Sequence, residues 1–295
     1  MIRDRSVSSR IIDCVTHIVM ILVLLITLLP VIHVAAISLS SSSAINRGLV
    51  SFWPVEFSLQ SYYKVMEAGT VPRAFLNSAL YMAAGTALSM LLTIMMAYPL
   101  SKKNLPLRNL YLLISTIPMF FSGGMIPKFL LVNNIGIYNT FWAMILPGAV
   151  STWNLIIMRS FFQSIPESLE ESARLDGAND FHILWWVIIP LSMPAIATVG
   201  MFYAVSQWNG WFDAMVYLKE SVRYPLQLVL REIVIQGQIA KELAAQGIVD
   251  DDFKAVTVES IKYATLFISI LPMLIIYPFV QKYFVKGVMV GSVKG

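Results

Sequence analysis

The stretch SIPESLEESARLDGANDFHILWWVIIP, Ser164–Pro190, has the most explicit punctuation in the chain. Pro166 suits the first position of a helix, where a missing N–H costs nothing, and Glu167 favours the first turn, near the positive end of the helix dipole. Glu170 and Arg174 stand four apart and can pair along one helix face. Gly177 suits the left-handed residue that ends a helix. Asn179 or Asp180 can cap a second helix, which runs into a strongly apolar segment. The spacing predicts a short helix, a sharp turn and a second helix anchored in a membrane.

The charge of this loop is unusual. From Arg159 to Asp180 there are two basic and five acidic residues. A loop resting on anionic headgroups should be basic. Two readings stay open on charge alone: a solvated connector, or a surface that meets a basic protein.

Working outward, the composition sets the class. Of 295 residues, 57% are hydrophobic and 13% charged, against about 25% charged in an ordinary soluble domain. Mean hydropathy is +0.71. Charge this sparse cannot cover a water-exposed surface, so the chain reads as a membrane protein. The net charge of +4 does not point to nucleic acid, because the basic residues sit at the ends of apolar runs and form no stripe with interleaved aromatics. The single cysteine, Cys14, rules out a disulfide framework or a cysteine-based metal site.

A crossing helix needs roughly 20 apolar residues. Stretches free of Asp, Glu, Lys and Arg give six of them, at about 14–37, 74–101, 109–127, 134–158, 183–210 and 263–281, within one membrane domain over 1–295. The loop of interest, 164–181, joins the fourth to the fifth. Six spans put both termini on one side. Arg3, Arg5 and Arg10, then Lys102, Lys103 and Arg108, then Lys282, Lys286 and Lys294 mark that side as cytoplasmic. The first span could also be read as a cleaved signal with small residues at Val34-Ala35-Ala36, but uncleaved it keeps the span count even. The outer segment 51–65 is rich in aromatics and fits an interfacial belt. The segment 224–239 is too charged to span, and its helical spacing predicts an amphipathic surface helix. Asp250-Asp251-Asp252 lacks the spacing of a calcium loop.

Absent motifs narrow the chemistry. There is no GxxxxGK[ST] phosphate loop, no HExxH and no GxSxG. His17, His33 and His182 stand without ligand-spaced partners. The six spans hold no ionisable Asp, Glu, Lys or Arg, unlike most ion-coupled carriers. The chain reads as neither an enzyme nor a gradient-driven pump, and it takes its energy from elsewhere.

Glu171-Ser172-Ala173, then three residues, Gly177, nine residues and Val187-Ile188-Ile189-Pro190 resemble the "EAA" signature of ATP-binding-cassette (ABC) importer permeases. That signature is E-A-A, three residues, G, nine residues, I-x-L-P; Ser172, Val187 and Ile189 are mild departures. The segment FWPVEFSLQSYY, the motif Trp208-Asn209-Gly210-Trp211-Phe212 and the tail KGVMVGSVKG extend the likeness to the MalG-like subunits of carbohydrate importers.

The resemblance implies an all-α membrane protein of the type I importer fold, with six transmembrane helices and a cytoplasmic coupling helix. It implies ATPase-coupling roles for Glu170, Glu171, Ala173, Arg174, Asp176, Gly177 and Pro190, and a tail contact with the ATPase at Gly287, Gly291 and Lys294. It implies no cofactor in this chain, with ATP and Mg on a partner ATPase dimer. A second permease, an extracytoplasmic binding protein and a bacterial inner membrane complete the picture. The cargo it implies is an oligosaccharide or polysaccharide fragment, acidic ones such as alginate included. Peptide or amino-acid cargo in the same machine, or an ion-coupled carrier, are the alternatives. Aromatic and amide side chains suit sugars, so Asn77, Trp153, Asn154, Tyr203, Trp208 and Asn209 are the candidate substrate path.

Overall fold

A computed structural model describes residues 7–245 and 252–291. Among these residues the chain is helical, and its one isolated bridge joins Ser40 to Phe57. The principal helices are α1 (Val7–Ser38), α2 (Gln60–Glu67), α3 (Thr70–Ser101), α4 (Arg108–Phe120), α5 (Met125–Asn134), α6 (Thr152–Ser164), α7 (Glu167–Leu175), α8 (Asp180–Leu191), α9 (Met193–Asn209), α10 (Leu226–Ala245) and α11 (Asp252–Gly291). Short turns of helix lie at Ser42–Asn46, Trp142–Ile145 and Phe212–Tyr217.

Three helical stretches are long and apolar enough to cross a membrane unbroken: Ile11–Ser38, Thr70–Ser101 and Glu259–Phe279. Two more candidates are bent pairs, α4 with α5 at 116° and α8 with α9 at 84°. The expected spans are thus not all single helices, and glycine and proline account for the breaks. The stretch 109–127 is helical only to Phe120; Gly124 then takes a φ of +82°, which glycine alone adopts freely, and α5 leaves in a new direction. The stretch 134–158 is not one helix. It breaks at Gly136 (φ +76°), passes through the short helix Trp142–Ile145, and resumes only at Thr152 after Pro147-Gly148. The stretch 183–210 bends between Leu191 and Met193. Pro190 and Pro194 each remove a helical N–H there, and the preceding turn widens to π geometry over Leu184–Ile188. Irregular backbone at membrane depth persists only where protein or a cavity receives it.

The helices group into two compact units. One comprises residues 1–71 and 230–270, the other 72–229 and 271–295. In the first, α1 is apolar on every side and exposed along most of its length, as a lipid-facing helix must be. Its C-terminal end is tied down: Tyr62 Oη donates to Ser38 Oγ at 2.8 Å, and Ser58 N donates to Leu39 O at 2.9 Å. Trp53, Phe57 and Tyr63 in the aromatic segment are exposed. From Leu226 on, the segment 224–239 is part of α10, whose first turns bury Leu226, Leu228, Val229 and Leu230.

The second unit carries the loop of interest. Its core packs Ala97, Leu155, Met158, Phe162, Ile183, Ile188, Val199 and Tyr203 from α3, α6, α8 and α9. A second cluster joins Tyr81 of α3 to Met144, Ile145, Ala214 and Leu228.

Candidate functional site: an acidic corner and a neutral cavity

α7 begins one residue later than the proline suggested. Pro166 is the N-cap, extended at φ −59° and ψ 130°, and Glu167 is the first helical residue. Glu167 and Glu170 occupy the first turn and Arg174 the last, the order that the helix dipole favours.

The expected pair between Glu170 and Arg174 does not form. Glu170 is buried, 8% exposed, and both its carboxylate oxygens meet the ammonium of Lys102 at the end of α3. Arg174 instead pairs with Asp180 at 2.7 Å. The reason is solvation. A carboxylate facing the core needs a partner that is itself shielded, whereas a pair along an exposed helix face is worth only about 0.3–0.5 kcal/mol.

One residue on, the environment inverts. Glu171 is exposed, and Leu175, four residues later on the same face, is 90% exposed. Sequence reasoning passed over Leu175. The spacing Glu171–Leu175 was the available signal, since residues four apart share a helix face. Asp176 is the C-cap and is also exposed. A groove of about 570 Å³ runs beside this surface, lined by Lys102, Lys103, Gln163, Glu167 and Glu171 among others.

The turn after α7 is a Schellman motif. Ala178 N donates to Ala173 O at 2.9 Å and Gly177 N donates to Arg174 O at 3.0 Å. Ala173 and Ala178 both pack on the core cluster that holds Phe162, Ile183 and Leu184. Gly177 has a φ of +86°, and open space surrounds the position a Cβ would take. Its requirement is therefore purely conformational. Gly177→Ala should destabilise the corner by about 1–2 kcal/mol, Gly177→Val by more and Gly177→Asn by least. Thermal unfolding of the three purified variants checks that ranking. Asn179 then caps α8, its side-chain oxygen accepting from His182 N at 2.9 Å. Pro190 lies away from this corner, in the exposed turn before the α8–α9 bend.

The six candidate substrate residues separate. Trp153, Asn154 and Tyr203 converge on a cavity of about 340 Å³, together with Ser151, Phe202, Ser206, Gln207 and Gly148. No lining side chain is charged. Tyr203 Oη is held by Thr93 Oγ1 at 2.8 Å and accepts from Ser151 N at 3.0 Å. Ser206 and Gln207 were missed, yet they follow Tyr203 by three and four residues and so share its face. Gly85 of α3 makes room for Gln207: a Cβ there would lie 2.8 Å from the amide.

The other three do not line that cavity. Asn77 fastens a loop, donating to Val222 O at 2.8 Å and Tyr224 O at 3.1 Å. Trp208 is 1% exposed and meets Phe75 edge-on at 5.4 Å, so it is core. Asn209 ends α9 and is exposed. In the tail, Gly287 and Gly291 fall on the last turns of α11, and Lys294 lies outside the described residues.

Comparison with known proteins places this geometry. Residues 89–290 match the family model of binding-protein-dependent transport system inner membrane components. The chain is 39% identical to the polygalacturonan/rhamnogalacturonan transport system permease protein YtcP of Bacillus subtilis, over 97% of this chain and 99% of that protein. It is 41% identical to Protein LplC of the same organism, over 92% and 90% of the two chains. Among solved structures, it superposes with a TM-score of 0.84 on a chain of a bacterial ABC transporter involved in the import of the acidic polysaccharide alginate, at 34% identity over 95% of this chain and 99% of that one. With a matching model over most of its length, close relatives along nearly all of it and a shared importer fold, the chain belongs to the inner membrane components of binding-protein-dependent ABC importers, a family of multi-pass permease subunits that are not themselves ATPases.

Proposed function

We propose that this chain forms half of the translocation path for acidic oligosaccharides, with a related permease as the other half. A cytoplasmic ATPase dimer drives it and an extracytoplasmic binding protein loads it. ATP and Mg belong to that ATPase. Both termini face the cytoplasm, as the Lys and Arg distribution favours.

The observation that carries this reading is the division of labour on α7. Glu170 is used internally, while Glu171 and Leu175 are presented outward beside a groove. An acidic group next to a bare leucine suits a basic, partly apolar receiving surface, and buried apolar anchors with flanking charge dominate such interfaces. The Schellman turn and the Asn179 cap make α7 and α8 a stiff elbow, so displacement of α7 reaches the membrane. ATP can drive transport only if the ATPase binds the two states of the permease unequally.

The cargo reading rests on the cavity and on the relatives. Trp153, Phe202 and Tyr203 offer flat faces for sugar C–H groups, and Asn154, Ser206 and Gln207 offer donors and acceptors for hydroxyls. YtcP is described as a polygalacturonan/rhamnogalacturonan permease, and the structural relative belongs to an alginate importer; both cargoes are polysaccharides rich in uronic acids.

The test is reconstitution of this chain with its partner permease, ATPase and binding protein in liposomes. Labelled oligogalacturonides should accumulate only with ATP and binding protein both present. Accumulation without ATP, or transport of peptides in preference to uronates, would overturn the proposal.

A further inference from the structure

We infer that Glu170 is a positioning residue for transport: by gripping Lys102 it makes α3 a second output of the α7 coupling helix, beside α8. The inference rests on the coupling role proposed above.

The C-terminal end of α3 is fastened at three consecutive residues. Leu100 O accepts from Arg159 Nε at 2.9 Å, and Ser101 O accepts from Gln163 Nε2 at 3.3 Å. The last carbonyls of a helix lack intrahelical partners, and here two side chains four apart on α6 supply them. Lys102 completes the set with its pair to Glu170, and its ammonium also lies 4.4 Å from the centroid of the Tyr98 ring. The neighbouring pair, Lys103 to Glu167 at 3.0 Å, is 80% and 71% exposed and is a weak tie. Among the described residues, Glu170 alone is both buried and charged.

Removing one partner from a shielded pair leaves an uncompensated charge, which is strongly unfavourable. α7 therefore cannot leave the end of α3 cheaply, so α3 must follow α7 or the pair must break. α3 is a continuous helix back from Ser101 through Thr93, about 14 Å earlier than Lys102 at roughly 1.5 Å per residue. There Thr93 holds Tyr203, which lines the neutral cavity. One buried carboxylate thus connects the surface offered to the ATPase with the wall offered to the cargo. Proximity along such a chain does not demonstrate coupling, so the claim is set against a direct measurement.

That measurement uses the assembled importer in proteoliposomes and reads cargo transported per ATP hydrolysed. A pair that merely held the fold would lower assembly or stability and leave this ratio alone. Glu170→Gln keeps the side-chain shape, and Lys102→Met keeps the aliphatic stem. Each should assemble and hydrolyse ATP, with the ratio falling roughly tenfold. The charge swap, Lys102→Glu with Glu170→Lys, should recover most of the loss. A wild-type ratio in either single variant overturns the inference. So does a swap no better than its components, or a loss confined to assembly. Failure of the coupling reading itself would look different, because the unmodified complex would then show no cargo-stimulated ATP hydrolysis.

Discussion

Truncating Glu171 to alanine is expected to weaken docking of the ATPase by about 2–5 kcal/mol, the range for removing one partner of a close charge pair across an interface. At 1.4 kcal/mol per decade this is a loss of roughly thirtyfold to a few thousandfold in affinity. The size follows from exposure. Among the described residues the Glu171 side chain forms no hydrogen bond or ion pair that the substitution could disturb, and the adjacent Glu170 already satisfies Lys102. The helix should survive, because alanine is the strongest helix former. Titration of the ATPase against the solubilised permease pair measures the effect, with Leu175→Ala as a companion that should act in the same direction. Normal assembly together with normal cargo-stimulated hydrolysis would remove Glu171 from the interface.

Trp208→Ala is the second large effect, and it should appear in a different measurement. The indole is 1% exposed and packed edge-on against Phe75, so its removal opens a cavity in the core. Losses for such truncations run to about 3–5 kcal/mol. The variant should fold in low yield and unfold at lower temperature, and the fraction that assembles should keep its KM. Trp153, by contrast, is 59% exposed and lines the neutral cavity. Trp153→Ala should raise KM and leave unfolding nearly untouched. A Trp208 variant of normal stability with altered KM would restore that residue to the cargo path.

These two tryptophans show what could be read from the sequence and what could not. Both lie in expected spans and precede an asparagine, and both suit a sugar, but only tertiary packing tells a wall from a core. Glu170 and Glu171 make the same point at closer range. Side chains on adjacent helical residues point about 100° apart, so one faces in and one out, but which one depends on Lys102, 68 positions away. Local punctuation was legible because its causes are local. Gly177 ends α7 with a positive φ, and Asn179 caps α8. Continuous apolar runs were legible in α1, α3 and α11 for the same reason. The bends were not. Pro190 and Pro194 are visible in the sequence, and prolines also occur in straight membrane helices, so the 84° turn is decided by packing around it.

The neutral cavity has an electrical consequence. Its eight lining residues carry no charge that could offset a carboxylate. A uronate oligomer entering a cell with a negative interior moves negative charge against the membrane potential, at about 2.3 kcal/mol per charge for 100 mV. Three carboxylates then require roughly 7 kcal/mol of electrical work by the same rule. For an acidic cargo, the voltage across the membrane therefore limits how long a fragment each power stroke can carry inward, unless cations or protons travel with it.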